Sequence, residues 1–508
     1  MLLNKKTTFI VLCTFIFSIV FTSCKKNNDV TPEEVLVMGP DVNLYALTSD
    51  NKLLLFNAKT PSVVTSQATI SGLQTGELIV AIDFRPATGQ LYGLGNSSRI
   101  YVIDPKTGSA RAVGTTSFTP ALSGTTFGFD FNPTVDRIRL VSSNGQNLRL
   151  NPETGTVAAT DLTIAGVTDA KIGSVAYTQN KAGASTTVLF DIDATTNKLY
   201  KQDPPNDGKL VEVGSLGYDV DETGGFDISP DGTSALAAMS TTGKSSLYVI
   251  DVTSGKAAKI GNFNEQIIGI AIPTEPVAYA VSTSNELLIF NPNSTTPTLV
   301  AKSITGIQAG ESILGLDMRP LNGQLFALGS TSRIYAINAS SGAATMVGAG
   351  PLATLLLGTE FGFDFNPTVD RIRIVSNLGQ NLRVNPSDAV LTVDMPITLP
   401  TAAISGAAYT NNFAGATTTV LYDIDTMTDR LYKQDPPNNG TLVDVGALGI
   451  NVENTNGFDI GGTSGTAYGI FTVGTTQRLY TVNLTTGATT PGATITSSVR
   501  AFALGLGF

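Results

Sequence analysis

The chain has 508 residues and a formal net charge of −10, with no histidine, no tryptophan and two cysteines. This acidic balance argues against nucleic-acid binding, which needs a basic surface. The missing histidine removes the commonest general base and metal ligand, and the missing tryptophan excludes literal Trp-Asp repeats.

The N-terminal segment, residues 1–23, has the pattern of a lipoprotein signal peptide. Two lysines precede an apolar run, Phe9–Phe21, that is shorter than the ~20 residues a membrane-spanning helix needs. The run ends in Phe-Thr-Ser-Cys, which resembles a lipobox, so we expect Cys24 to carry lipid. An ordinary signal peptide with an incidental cysteine is the alternative. Residues 24–34 are polar and are predicted to form a flexible tether.

The predicted location is the bacterial cell envelope, with the protein attached to a membrane, expected to be the outer one, through its N-terminal lipid. Lysines directly follow Cys24, and the choice between the periplasmic face and the cell surface stays open. The other cysteine, Cys13, lies in the predicted signal peptide, so the mature domains are expected to have no disulfide and no thiolate site.

The remainder of the chain is one unit written twice. Thirteen residues, Phe127–Arg139, recur unchanged at Phe361–Arg373, an offset of 234 (361 − 127). Eight more, Leu199–Asn206, recur at Leu431–Asn438, an offset of 232 (431 − 199). The predicted domains are therefore a first copy over residues 35–273 and a second over residues 274–508.

Each copy divides into five sub-repeats of about 45 residues. The recurring first-strand positions Asp83, Asp130, Tyr177 and Asp227, followed by Ala271, are 44 to 50 residues apart. Short segments rich in Val, Ile, Phe and Tyr alternate with Gly- and Pro-containing turns, a pattern typical of β-propeller blades. We predict an all-β fold of tandem β-propellers, most simply two five-bladed rings, with one larger ring built from both copies as the alternative.

Ring closure has a candidate segment in each copy. The apolar segments at residues 267–272 and 501–506 follow the fifth sub-repeat of their copies. Each is predicted to be the innermost strand of its own first blade, which would remove an open sheet edge.

A predicted hairpin in the third sub-repeat gathers arginines. A three-residue loop that ends in a left-handed glycine suits both copies and places Arg139 opposite Arg149, with Arg137 on the same face. The predicted internal partners are Asp130, Asp136 and Asp191. An anion or carboxylate-glycan site is the functional alternative to such a structural network. The same cluster recurs in copy two as Arg371, Arg373 and Arg383.

Aspartates recur on the first strands, which line the axis of a propeller. One hypothesis is an acidic ring able to hold calcium, and the other is hydrogen bonding between blades or pairing with arginine. The candidate metal ligands are Asp83, Asp130, Asp227, Asp317, Asp364 and Asp459. No other cofactor is predicted.

A strand end entering a double-proline loop is identical in both copies. Such loops lie on a propeller face and often bind ligands. A turn that only these residues can form would also keep the sequence identical in both copies. The candidate binding residues are Lys201, Gln202 and Asp203, with Lys433, Gln434 and Asp435 in copy two.

The repeated string Gly-Phe-Asp-Phe-Asn-Pro-Thr-Val-Asp-Arg-Ile-Arg, with the Gly-Gln-Asn-Leu-Arg that follows it, closely resembles the bacterial domain-of-unknown-function family 4394. The resemblance extends over nearly all of both copies. It implies a β-propeller-like fold, and it implies no activity and no catalytic residues.

These observations favour a lipid-anchored envelope protein that binds or scaffolds, with an envelope protein or a glycan as partner, and no catalytic residue is assigned. The rival hypothesis is a metal-dependent hydrolase or lyase that acts on a sugar or lactone in the propeller tunnel. A purely structural envelope protein is a third.

Overall fold

The computed structural model describes residues 35–398 and 402–508, and its architecture there is all-β. The described residues form forty strands and two single-turn 3₁₀ helices, Pro205–Asp207 and Pro437–Asn439. No helix in this part of the chain is long and apolar enough to span a membrane. The predicted signal peptide, the predicted lipidation site Cys24 and the tether at residues 24–34 lie outside the described residues.

Twenty strands belong to the first copy. They are β1 (Asn43–Thr48), β2 (Lys52–Asn57), β3 (Val64–Thr69), β4 (Ile79–Arg85), β5 (Gln90–Gly95), β6 (Arg99–Ile103), β7 (Ala110–Val113), β8 (Phe127–Asn132), β9 (Arg137–Ser142), β10 (Asn147–Leu150), β11 (Val157–Thr160), β12 (Ile172–Tyr177), β13 (Leu189–Asp193), β14 (Lys198–Gln202), β15 (Leu210–Ser215), β16 (Glu222–Ile228), β17 (Ala235–Thr241), β18 (Lys244–Ile250), β19 (Ala257–Asn262) and β20 (Ile267–Ala271).

The second copy repeats this series within its described residues. Its strands are β21 (Ala278–Ser282), β22 (Glu286–Phe290), β23 (Val300–Ser303), β24 (Ile313–Arg319), β25 (Gln324–Gly329), β26 (Arg333–Ile337), β27 (Ala344–Val347), β28 (Phe361–Asn366), β29 (Arg371–Ser376), β30 (Asn381–Val384), β31 (Leu391–Val393), β32 (Ile404–Tyr409), β33 (Leu421–Asp425), β34 (Arg430–Gln434), β35 (Leu442–Ala447), β36 (Asn454–Ile460), β37 (Ala467–Val473), β38 (Thr476–Val482), β39 (Thr489–Thr494) and β40 (Val499–Leu504).

The strands pair into ten four-stranded antiparallel sheets, and the fold is propeller-like. Eight sheets use four consecutive strands each, starting at β4, β8, β12, β16, β24, β28, β32 and β36. The other two have the orders β20-β1-β2-β3 and β40-β21-β22-β23. The predicted pairing of each copy's last strand with the first strand of its own copy is therefore confirmed, with Tyr45 opposite Ala271 and Tyr279 opposite Ala503.

Burial follows position within a sheet. The first strand β12 has all six residues buried, because neighbouring sheets pack against both of its faces. The fourth strand β3, Val-Thr-Ser-Gln-Ala-Thr, is almost wholly exposed and correspondingly polar. The hydrophobic core therefore lies between adjacent sheets, as where the rings of Tyr92 and Phe131 meet edge to face at 5.1 Å.

Within each copy the innermost strands contact one another in sequence. In copy one β4 contacts β8, β8 contacts β12, β12 contacts β16, β16 contacts β20, and β20 contacts β4. The innermost strands of copy two, β24, β28, β32, β36 and β40, make the corresponding contacts. The close approach of β16 to β20 requires glycine at position 225. A Cβ there would lie only 2.4 Å from the backbone N of Ile270.

The hairpin between β9 and β10 has the predicted geometry. Arg139 lies opposite Arg149, and a three-residue loop connects the strands, ending at Gly145 with φ = 87°. In copy two Arg373 lies opposite Arg383, and Gly379 has φ = 78°. The register of this hairpin is confirmed in both copies.

The two copies pack directly against each other. The Tyr279 hydroxyl donates to the carbonyl of Ala87, and the backbone N–H of Gly507 donates to the carbonyl of Thr88, both at 2.8 Å. The Arg111 guanidinium donates to the carbonyl of Leu321 at 2.6 Å. These contacts make one compact unit of residues 36–508.

We predict that Gly225→Ala destabilises the protein more than Gly232→Ala. Both glycines have positive φ, 112° and 71°, so alanine costs roughly 1–2 kcal/mol of conformational strain at either site. Only at Gly225 would the new Cβ collide with a neighbouring strand, since nothing lies within 4 Å of a Cβ at Gly232. Urea unfolding of the full chain followed by circular dichroism measures the difference, and equal midpoints would contradict close packing of the inner strands.

Candidate functional site

The buried guanidinium of Arg139 is the centre of a polar network in copy one. Arg139 Nη1 lies 2.6 Å from Asp161 Oδ2, and Arg149 forms two bonds to the same carboxylate, both at 2.9 Å. Arg139 is only 2% exposed. Asp161 thus neutralises part of the charge of two guanidiniums that would otherwise repel each other across the hairpin.

The same guanidinium joins two neighbouring sheets. Arg139 Nε donates to the Tyr177 hydroxyl on β12 at 3.3 Å, and Nη2 donates to Asn206 Oδ1 at 2.8 Å. Asn206 belongs to the double-proline loop, whose Pro205 carbonyl accepts from Asn147 Nδ2 at 3.1 Å and from Gln202 Nε2 at 2.5 Å. The two motifs that recur most faithfully in the sequence are therefore parts of one network.

Copy two builds this network with almost the same distances. Arg373 donates to Asp394 and Asn381 at 2.7 Å, to Asn438 at 2.8 Å and to Tyr409 at 3.2 Å. Arg383 lies 2.7 and 2.8 Å from the two oxygens of Asp394. Burial raises the pKa of the Asp394 carboxyl, but hydrogen bonds from Arg383 and Arg373 outweigh it, and the net pKa is below its usual value.

The third arginine of each predicted cluster stands apart. Arg137 is half-buried and donates to the carbonyl of Asp136 at 2.7 Å, and Arg371 does the same to Asp370 at 2.8 Å. The cluster therefore consists of one buried and one half-exposed arginine that share a carboxylate, with a third that makes only a backbone contact.

None of the three predicted carboxylates forms an ion pair with an arginine of the hairpin in the described residues, although the charge of Arg139 acts on Asp191 and lowers its pKa against the effect of burial. Asp136 pairs with Arg85 of the preceding sheet, at 2.8 and 2.5 Å. Asp130 accepts from the backbone N–H of Tyr177. Both carboxylate oxygens of Asp191 lack a hydrogen-bond partner among the described residues, and burial raises the pKa of this group well above its usual value. Asp130 lies directly opposite Arg139, so the two side chains share a face of the sheet, but the Asp130 carboxylate bonds the backbone of β12 instead of the guanidinium.

The three candidate residues at the end of β14, Lys201, Gln202 and Asp203, do not all point the same way. Gln202 points inward and is buried, whereas Lys201 and Asp203 are exposed. The Lys201 ammonium lies 5.8 Å from the centre of the Phe190 ring. In copy two Lys433 stands over Tyr422 at the same distance, Gln434 is buried, and Asp435 is exposed.

The first-strand aspartates converge as the sequence suggested. In copy one Asp83, Asp130 and Asp227 each offer an oxygen within 4.8 Å of the others, and all three are buried. Each also accepts a hydrogen bond from the backbone N–H of the next inner strand. The donors are Phe131 for Asp83 at 2.7 Å, Tyr177 for Asp130 at 3.0 Å and Ile272 for Asp227 at 2.5 Å. In copy two Asp317, Asp364 and Asp459 accept from Phe365, Tyr409 and Leu504.

Burial of these six carboxyls raises their pKa values. The pKa of Asp227 and of Asp459 rises to about 7. Burial, together with the like charges of the other two members, raises the pKa of Asp130 and of Asp364 further. Hydrogen bonds from the backbone only partly offset the desolvation of these carboxyls. Such a carboxyl holds a proton near neutral pH unless a cation takes the place of that proton.

The tunnels inside the two copies are filled. The space between the inner strands of copy one, lined by Phe129, Val175, Phe226 and Ile270 among others, has a volume of about 10 Å³. The equivalent space in copy two, lined in part by Phe363 and Phe502, is equally small. Each is about the size of one water molecule.

A larger cleft lies where the copies meet. Its volume is about 620 Å³, and its walls are the β12–β13 loop of copy one and the first sheet of copy two. Apolar side chains and hydroxyl or amide groups contribute about equally to the lining, and Lys181 and Glu275 are its charged members. Neither residue was singled out by the sequence.

Sequence reasoning also missed Arg85, Asp161 and Asn206. Arg85 stands in a repeated Asp-x-Arg-Pro string, which was a usable signal. Asp161 corresponds to Asp394 at an offset of 233, in a stretch where the copies otherwise differ, so repeat comparison could not find it.

The chain matches the family described as a domain of unknown function (DUF4394) over residues 52–271 and again over 286–504. It belongs to that family. The resemblance predicted from the repeated string is confirmed, with two tandem family domains in one chain. No curated protein matches the chain.

Two solved structures are similar to the chain at low identity and a low TM-score. One is the extracellular domain of a putative one-component system from B. thetaiotaomicron, at 12% identity and a TM-score of 0.26, covering 90% of this chain and 59% of that one. The other is PorZ, a surface component of the type-IX secretion system of Porphyromonas gingivalis, at 12% identity and 0.26, covering 91% and 60%. This DUF4394 chain spans about three fifths of their length.

We predict that Arg139→Met lowers stability far more than Arg137→Met. Removing the buried guanidinium leaves Asp161 and Asn206 without it, a loss of about 3–5 kcal/mol in the free energy of unfolding. The half-exposed Arg137 makes only a backbone contact, so its loss should cost within about 0.5 kcal/mol. Urea midpoints of the two full-chain variants provide the measurement, and similar midpoints would show that the network does not stabilise the fold.

Proposed function

We propose that the chain is a lipid-anchored cell-envelope protein whose two five-bladed β-propellers form a rigid binding or scaffold module. The propellers would occupy residues 35–273 and 274–508, and Cys24 would attach them to the outer membrane. The proposal favours a non-catalytic role, with an envelope protein or a glycan as the partner.

Strand pairing supports two rings over one larger ring. In each copy the last strand joins the first sheet of that same copy, and five innermost strands contact one another in a closed cycle. A single ring would instead require β20 to lie against an inner strand of copy two, whereas its inner-strand neighbours are β16 and β4.

The small volume of the tunnel is the observation that favours a binding role over a catalytic one. The rival hydrolase or lyase would need room for a sugar or lactone beside the acidic groups. The space between the inner strands is about 10 Å³ in each copy, and Asp83, Asp130 and Asp227 are at most 1% exposed. Ligand sites usually offer 300–1,000 Å³.

The cleft between the copies is the surface that we propose for partner binding. At about 620 Å³ it is large enough for several sugar rings or a polar peptide loop. Ser185, Thr186, Asn291 and Thr298 contribute hydroxyl and amide groups, which suit a neutral polar ligand. The direct contacts between copies hold its walls at a fixed separation, which reduces the entropic cost of binding.

We predict that Cys24→Ser releases the protein from membranes. Without the thiol no acyl chain can be attached, and residues 24–34 contain no apolar run that could replace it once the signal peptide is removed. Fractionation of cells that express either form, followed by immunoblotting, measures the distribution. A variant that stays in the membrane fraction after a high-salt wash would overturn the lipid anchor.

We predict that Ser185→Trp weakens capture of envelope material by the immobilised protein. The indole would fill part of the cleft, because Ser185 lines it and is exposed. Thr417→Trp is the matched control, since Thr417 occupies the same position of the exposed loop in copy two. Capture should fall at least about tenfold for Ser185→Trp, as expected when a bound group of the partner is excluded. Equal capture by both variants would place binding elsewhere.

A further inference from the structure

We propose that each copy binds one calcium ion between its three inner-strand aspartates. The site in copy one is formed by Asp83, Asp130 and Asp227, and the site in copy two by Asp317, Asp364 and Asp459. This inference does not depend on the proposed partner binding, because all six aspartates are buried and none of them lines the cleft.

The spacing of the carboxylates suits calcium. One oxygen from each aspartate lies within 4.8 Å of the others. Calcium binds oxygen at 2.3–2.6 Å, so two of its ligands are separated by up to about 5 Å. The backbone N–H groups that bond Asp83, Asp130 and Asp227 fix the orientation of the carboxylates, as outer-shell partners do in metal sites.

A buried carboxamide beside the triad is the second observation. Asn180 is completely buried, its Nδ2 lies 3.4 Å from Asp227 Oδ1, and its Oδ1 has no hydrogen-bond partner among the described residues. Rotating the carboxamide by half a turn would bring its oxygen to the triad, and the two orientations differ little in shape. Asparagine carbonyls are ordinary calcium ligands.

Copy two carries the same orphaned groups. Asn412, at the position that corresponds to Asn180, is 1% exposed, and its Oδ1 also lacks a partner in the described part of the chain. One triad oxygen, Asp364 Oδ2, is unpartnered as well. A buried acceptor without a donor is unfavourable, and one cation can satisfy several such acceptors together.

The charge of each triad also requires a counterion or protons. None of the ion pairs in residues 35–398 and 402–508 includes these six aspartates. Tyr177 on the neighbouring strand is the titratable group that faces Asp130, and it stays neutral because burial raises its pKa.

Calcium fits better than other common cations. The ligands are hard oxygens, with up to two from each aspartate and one from the carboxamide, which suits a flexible shell of six to eight. Magnesium keeps several waters, and the site is closed by packed strands. Zinc prefers nitrogen and sulfur ligands, which the triads do not contain.

Protons and calcium should compete for the triads. A carboxyl with a raised pKa in the folded state binds more protons folded than unfolded between pH 4 and 7. In EDTA the melting temperature should therefore fall as the pH rises through about 7. Calcium at 1 mM should raise it by at least about 5 °C at pH 7.5 and have little effect at pH 5.

The decisive experiment counts bound calcium on the full mature chain. The chain in detergent is stripped with EDTA, dialysed against micromolar calcium at pH 7.5 and analysed by atomic emission. Wild type should bind two ions, Asp130→Asn and Asp364→Asn one each, and the double variant none. Asparagine retains the Oδ1 that accepts from Tyr177 or Tyr409, so the variants should fold.

Asp104→Asn is the matched control, because Asp104 is an exposed turn cap and asparagine stands at the equivalent Asn338 of copy two. It should still bind two ions. In EDTA at pH 7.5 the double variant should melt above wild type, since a buried asparagine is uncharged without having to take up a proton on folding. Wild type that binds no calcium, or binding that survives in the double variant, would overturn the proposal.

Discussion

The fold depends on a hydrogen bond between a carboxylate on one inner strand and the backbone of the next. In the described residues adjacent sheets are joined through the backbone only by isolated bridges near their outer strands, such as Ser71 with Ser109, so side chains hold the neighbouring inner strands together. The carboxylates of Asp83, Asp130 and Asp227 supply direct polar links to the following strands. These links fix the rotation of one sheet against the next, which apolar packing specifies less strictly.

The same arrangement brings like charges together. The three aspartates of each copy surround a shared axis, and one carboxylate oxygen of each lies within 4.8 Å of the others. The aspartates therefore fix the orientation of neighbouring sheets, but their carboxylates repel one another in a site without water. A bound cation would convert that cost into a further attraction, whereas protonation only removes it.

The Arg139 network has a corresponding role further from the axis. It connects the third and fourth sheets of copy one through one guanidinium, one carboxylate and a loop whose conformation two prolines restrict. The planar guanidinium donates to four acceptors in four parts of the fold, so a change in any partner leaves a buried polar group unsatisfied. That interdependence gives a physical reason for both copies to retain the two strings unchanged.

The hairpin register, the pairing that closes each copy and the convergence of the first-strand aspartates could be predicted from the sequence, whereas the side-chain partners of Arg139 could not. The hairpin register at Arg139 followed from loop length and glycine position, which are short-range constraints. The partner of Arg139 lies 22 residues away, beyond a segment where the repeats fall out of register. Asn180 lies three residues past the expected first-strand position, so only the folded chain brings it to Asp227.

The duplicated copies are no longer equivalent. The pair Arg85–Asp136 is 0% and 3% exposed, while its counterpart Arg319–Asp370 is 12% and 31% exposed. The difference arises because copy two covers this face of copy one, where the Asn322 carbonyl accepts from Arg85. The junction has thus changed the burial of an ion pair whose two residues are the same in both copies, and it forms a surface that a single copy does not have.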